Sequence, residues 1–165
     1  MIQKYQIKQK IKTIEELKTI VNSWKLQDKT IVFTNGCFDI LHLGHLSYLE
    51  EAAKLADRLV IGINSDASVK RLKGKDRPIH DVENRLHQIA ALQMVDVVVV
   101  FEEDDPMELI KVVQPDHLVK GGDWDKESIV GAAFVESYGG SVCSLSLVEG
   151  LSTTKILEKI QQQKK

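Results

Sequence analysis

Cysteine is scarce here: Cys37 and Cys143 are the only two in 165 residues. Two thiols form neither a metal-ligand pattern nor a disulfide framework. The expectation is a soluble cytoplasmic protein with reduced thiols and no protein-held metal. Proline is scarce too, at three residues, and no low-complexity linker or internal repeat interrupts the chain. Long hydrophobic runs are missing. None approaches the roughly 20 apolar residues that cross a bilayer, so no membrane partner is expected. The opening MIQKYQIKQKIK has no continuous apolar stretch, which speaks against a secretory signal. An excess of one charge is missing as well. A net charge of -2 excludes a broad nucleic-acid footprint but leaves room for a local cationic pocket.

What remains is an ordinary globular composition, 43% apolar and 28% charged, in a length that suits one domain with its own core. Residues 1–28 read as a tail and a helix against a domain of residues 29–165. Residues 1–12 are polar, basic and loosely held. Thr13 and Glu16 resemble a capping box, and apolar residues from Ile14 to Trp24 recur at helical spacing. Strands are expected at Ile31–Thr34, Arg58–Asn64, Val95–Phe101, His117–Lys120 and Ser141–Leu147. Helices are expected from Gly44 or His45 to Ala56, from Ser65 toward Lys70, from Asp81 to about Gln93, after Pro106, over Lys126–Tyr138 and after Ser152. Strands alternating with helices predict a Rossmann-like, doubly wound α/β fold: a mostly parallel five-stranded sheet with helices on both faces. Ligands of such sheets bind at the carboxyl ends of the strands. The loops 34–45, 65–77, 120–124 and 148–154 therefore converge.

The stretch IVFTNGCFDILHLGH (31–45) runs from a strand through a turn to a helix start, where α/β proteins hold phosphates. His42 and His45 flank Gly44, which permits close backbone approach or an unusual backbone angle. Either imidazole alone is more economically a satisfied histidine or a helix cap. The pair, after a strand and a glycine turn, suits charge stabilisation at a phosphate. Two glycines after a strand, in KGGDW (120–124), let backbone approach a ligand. Lys120 can neutralise a phosphate, and Asp123 can accept from a hydroxyl. Trp124 reads as a core plug. Ser152, Thr153 and Thr154 open a helix and can cradle a phosphate with hydroxyls and backbone N–H groups.

NGCFDILHLGH resembles the first signature of the His-x-Gly-His nucleotidyltransferases, specifically the cytidylyltransferase-like branch. LSTTKI (151–156) resembles its second signature, and VKGGDW and RPIHDVENR match landmarks between them. The likeness covers about residues 30–160. Within the branch the chain is most similar to the adenylyltransferases of ADP-heptose synthesis, through FTNGCFDILHLGH, NSDASVKRLKGKDRP and LVKGGDW. No ribokinase-like half is present, so the stand-alone form is expected. The resemblance implies transfer of AMP from ATP, with Mg²⁺, to a sugar 1-phosphate by direct attack, and a homodimer.

It also implies the site. His42, His45 and Lys73 are the catalytic candidates, with His45 favoured for transition-state stabilisation. Thr34, Asn35, Gly36, Cys37, Phe38, Gly44, Lys75, Arg85, Gly122, Asp123, Ser152, Thr153 and Thr154 join the two histidines on the nucleotide. Lys73 and Lys75 are preferred to Arg77 in the basic loop. Arg85 binds phosphate or pairs with Asp81 or Glu83. Asp39, Lys73 and Lys120 fall on the second substrate's side, Asp39 mainly as a brace. Leu147–Val148 stand where glycerol-phosphate and choline-phosphate enzymes typically have Arg-Thr, and Gln93 stands where an arginine is common. A cytidylyltransferase for glycerol 3-phosphate or a related alcohol is thus the rival reading, and a non-catalytic nucleotide sensor the second.

Overall fold

The computed structural model describes residues 7–146 and 152–163. Six strands, all parallel, form one sheet: β1 (Ile11–Lys12), β2 (Ile31–Gly36), β3 (Arg58–Asn64), β4 (Val97–Phe101), β5 (His117–Gly121) and β6 (Ser141–Leu145). Their order is β1-β4-β3-β2-β5-β6. The chain lays strands outward from β2 to β4, then returns to β2's other side for β5. The order therefore reverses at β2, and a crevice opens beyond its carboxyl end.

Among the described residues seven helices accompany the strands: α1 (Ile14–Lys25), α2 (Leu43–Ala53), α3 (Asp66–Lys73), α4 (Val82–Ala90), α5 (Met107–Val113), α6 (Ala132–Ser137) and α7 (Thr153–Gln162). Strand alternation divides the core. Ile31 and Phe33 face a layer holding Leu17 and Val21 of α1, Leu109, Ile110 and Val113 of α5, and Val135 of α6. Val32 faces the other layer, with Tyr48, Leu49 and Ala52 of α2 and Ile89 of α4. Both faces of the sheet are thus covered, as fits β3, whose residues after Arg58 are all buried.

Several expectations need correction. The sheet has six strands rather than five. Residues 7–12, read as loose, form a 3-10 turn and β1, which pairs Ile11 with Val98 and Lys12 with Val99. Helix was expected over Lys126–Tyr138, but only a 3-10 turn (Lys126–Ser128) and α6 form. Gly131 breaks the run at φ 88, where an added Cβ would lie 2.6 Å from Ile110 Cδ1. The α3 helix extends to Lys73, so Arg71, Leu72 and Lys73 of the supposed basic loop (71–78) are helical. The α4 helix stops at Ala90, short of Gln93, which lies on an exposed turn. Leu147–Val148 and the Leu151 end of the second signature lie outside the described residues.

Candidate active site

A cavity of about 540 Å³ occupies the crevice beyond β2. The loop leaving β2 forms its floor. Asn35, Gly36, Cys37, Phe38 and Asp39 all line it. Phe38 sits at φ 46, a left-handed angle uncommon outside glycine. Burial of its ring holds it there: Phe38 stacks 6.4 Å from Tyr48 and lies 5.4 Å from His45. A Cβ at Gly36 would lie 3.1 Å from that ring, so a larger residue there requires the ring to give by a few tenths of an ångström.

Two buried charges brace the loop. Asp39, 2% exposed, accepts hydrogen bonds from the backbone N–H groups of Ile79 and His80 and from Arg77 Nε. Burial pushes its carboxyl up, but the His80, Ile79 and Arg77 donors outweigh that and hold it below its ordinary value. Arg85, with 0% exposure, donates to the Cys37 carbonyl at 2.6 Å, the His80 carbonyl at 3.1 Å and Asp66 Oδ1 at 2.8 Å. It is tied to the loop from behind and does not line the cavity. Its ion-pair partner is Asp66, not Asp81 or Glu83.

The α2 helix starts under the loop. His42 is its N-cap residue without a side-chain cap bond, and its carbonyl accepts from the N–H groups of His45 and Leu46. The positive helix end is therefore not neutralised by its own cap. The two imidazoles stack with centroids 3.9 Å apart, and His45 alone of the pair lines the cavity. Both Nδ1 atoms are buried without a hydrogen-bond partner among the described residues. Burial, then the neighbouring His42, push His45 down to about 4, and burial also lowers His42. His45 is thus a neutral imidazole at physiological pH, able to donate one N–H. Gly44 keeps helical backbone, so its unusual-angle option is not used.

Cations arrive from two sides. Lys73, at the end of α3, and Arg77 line the cavity; Lys75 is exposed and does not. From β5, Lys120 reaches Asn35 Oδ1 at 3.4 Å and lies 5.8 Å from the Trp124 ring centroid. Burial lowers its ammonium, and nearby Lys73 adds to this. Burial raises the Cys37 thiol, which those same cations oppose. Trp124 is no core plug: it is 49% exposed, donates Nε1–H to the Gly121 carbonyl and lines the cavity. Gly122 takes φ 115 in this turn, while Asp123 is exposed and off the cavity wall. Ser152 caps α7 by accepting from Lys155 N, and Thr153 and Thr154 line the cavity. Thr34 is buried at the strand end behind the loop.

Sequence reasoning brought most of these loops together but missed Asn64, Leu72, Asp104, Asp105 and Ser128 on the walls. Among the described residues no group of three or more His, Cys, Asp or Glu could hold a metal ion.

Residues 33–159 match the cytidylyltransferase-like family. The chain belongs to that family. The bifunctional protein HldE of Syntrophotalea carbinolica is 53% identical over 151 residues, 92% of this chain and 31% of that protein. HldE of Pseudomonas paraeruginosa is 53% identical over 149 residues, 90% of this chain. This cytidylyltransferase-like chain thus spans about a third of the curated relatives it matches. Among solved structures, the lipopolysaccharide core biosynthesis protein of Thermoplasma volcanium is 34% identical with a TM-score of 0.59, covering 73% of this chain and 97% of that one. A pantoate-beta-alanine ligase of Francisella tularensis, complexed with beta-gamma ATP and beta-alanine, shares the fold at 16% identity and a TM-score of 0.58, covering 92% of this chain and 77% of that one.

Proposed function

We propose that the chain transfers AMP from ATP to a sugar 1-phosphate, most specifically heptose 1-phosphate, releasing pyrophosphate. The observation that carries this reading is a cavity lined by residues of both family signatures, in a chain half-identical to HldE over nine-tenths of its length. The likeness to a lipopolysaccharide core biosynthesis protein favours a sugar acceptor over glycerol 3-phosphate.

In this reading the acceptor's phosphate oxygen attacks the α-phosphorus in line, pyrophosphate leaves, and no covalent enzyme intermediate forms. Positioning and charge stabilisation do most of the work. His45 donates its N–H to the α-phosphate oxygens as charge grows there. His42, stacked on it, fixes its plane. The loop 34–38, the α2 start with Gly44 and the Gly122 turn with Asp123 hold the nucleotide. Ser152, Thr153 and Thr154 receive the outer phosphates, with Lys75 reaching in from the exposed loop. Lys73 and Lys120 neutralise the acceptor phosphate, and Asp39 and Arg85 keep the loop in shape. Mg²⁺ would travel with ATP on phosphate oxygens and water, since the residues here do not fit a protein-held site, and no step is routed through it. A homodimer and a cytoplasmic location complete the proposal. No helix among the described residues is long and apolar enough to cross a membrane, and sedimentation should give twice the 18.6 kDa chain mass.

Coupled pyrophosphatase assays provide the test. Phosphate release is expected with ATP and heptose 1-phosphate. Release only with CTP and glycerol 3-phosphate would overturn the reading, as would tight ATP binding with no pyrophosphate from any acceptor.

A further inference from the structure

The two arginines beside the β2–α2 loop are engaged differently. Arg85 commits every side-chain nitrogen to the protein, donating to the His80 carbonyl, the Cys37 carbonyl and Asp66. Arg77 commits only Nε, which donates to Asp39. Its terminal nitrogens have no hydrogen-bond partner among the described residues. The side chain is 17% exposed and lines the cavity. A guanidinium so far removed from water is costly unless acceptors meet its remaining N–H groups. The carboxylates on the cavity wall are already engaged. Asp39 also accepts from the Ile79 and His80 N–H groups, Asp104 from Arg71 Nε and Asp105 from Met107 N. Lys73 and Lys120 line the same cavity and repel a third cation. Burial raises the Cys37 thiol, and Lys73, Arg85, Lys120 and Arg77 oppose it, so these charges converge on the loop. Converging cations with uncommitted donors fit a ligand carrying several negative charges.

Which phosphate Arg77 meets follows from what holds it. Its anchor is Asp39, and the next residue, Ile40, accepts at its carbonyl from Thr153 Oγ1 at 3.5 Å. Consecutive residues of one loop thus hold Arg77 and the start of α7. Lys120 is held elsewhere, from β5 against Asn35. Lys75 is exposed and off the cavity wall. We propose, resting on the reaction above, that Arg77 is a catalytic residue that clamps the leaving pyrophosphate together with Thr153 and Thr154. As the acceptor oxygen bonds to the α-phosphorus, the bond from the α-phosphorus to the bridging oxygen breaks. Its electron pair stays on the pyrophosphate, where negative charge grows. A planar guanidinium fork meets two phosphate oxygens at once, whereas a lysine supplies only a point charge. Asp39 fixes the fork before substrate arrives, so little ordering remains to be done during the reaction.

Calorimetric binding of inorganic pyrophosphate to the full chain tests the clamp apart from turnover. Arg77→Gln should weaken binding about tenfold or more. Arg77→Lys keeps the charge and a partner for Asp39 but loses the fork, and should weaken it about threefold. In turnover with ATP and heptose 1-phosphate, Arg77→Gln should lower kcat about 10²-fold, with the sugar-phosphate KM within about twofold of wild type. Pyrophosphate affinity unchanged in both variants would overturn the assignment. So would a rise confined to the sugar-phosphate KM, which would put Arg77 on the acceptor. A melting temperature lowered in both variants, with every constant weakened in parallel, would make Arg77 a brace for Asp39 and overturn it equally. A wild-type chain that binds pyrophosphate through Arg77 but turns over no sugar 1-phosphate would support the clamp and overturn the proposed acceptor instead.

Discussion

At His45 the fold spends stability to hold a neutral imidazole against the cavity floor. Its buried Nδ1 has no partner among the described residues, and burial with His42 alongside pushes its pKa from 6.5 to about 4. The unfolded chain therefore takes up a proton near pH 6.5 and the folded chain only near 4. Between those values the unfolded state binds more protons, so this contribution is fully present above pH 6.5 and lost as pH falls toward 4. The full loss is about 3 kcal/mol. Thermal melts from pH 7 to pH 4.5 should show a steeper decline for wild type than for His45→Gln. An identical pH slope in the variant would sink this assignment. Bound polyphosphate should flatten the wild-type slope, because an anion stabilises the imidazolium that burial disfavours. In turnover, His45→Ala should lower kcat about 10²-fold or more if the imidazole stabilises charge in the transition state. The same substitution leaves KM nearly unchanged where the interaction strengthens only as the reaction proceeds.

Helix α4 acts on the site without entering it. Through Arg85 it fastens the Cys37 carbonyl of the β2–α2 loop and Asp66 at the start of α3. One guanidinium thus fixes the relation of three elements, and Arg fits because its planar fork can serve three acceptors at once. Removing it leaves a buried carbonyl and a carboxylate without their partner. Arg85→Met should cost about 3 kcal/mol, read as a drop in melting temperature of roughly 6–12 °C for a chain of this size. A phosphate-binding role predicts the opposite pattern: a raised KM for ATP with an unchanged melting temperature. Much of this element-level architecture is legible in the sequence. The β3 strand is readable to the residue because RLVIGIN is a short run buried on both faces. The α1 helix declares itself through the capping box at Thr13, which the structure confirms in both directions. β1 was not legible. Two residues carry no periodicity, and their pairing with Val98 and Val99 is a long-range fact. Gly131's effect on α6 was missed because the close packing against Ile110 that leaves no room for a side chain there is a long-range contact.

Over the whole molecule the same limit applies to the site. The β2–α2 loop and the threonines of α7 announce themselves locally, as a motif before a helix. Asn64, Asp104 and Trp124 do not, because only the order β1-β4-β3-β2-β5-β6 brings the ends of β3, β4 and β5 to one cavity. That order also concentrates cations in a chain whose net charge is -2. The two lysines involved differ in solvation: Lys73 is exposed, and Lys120 is held inside against Asn35 and Trp124. Salt screens exposed charges over about 10 Å at 0.1 M and buried ones much less. Lys73→Ala and Lys120→Ala should each lower kcat/KM for the sugar phosphate about tenfold at low salt, roughly 1.4 kcal/mol. Raising salt toward 0.5 M should shrink the Lys73 effect to about threefold while the Lys120 effect persists. Each substitution is compared with wild type at the same ionic strength, so general salt effects on the substrate cancel. Two series that shrink in parallel would mean that both lysines act as solvated charges, and that Lys120 makes no direct contact with phosphate.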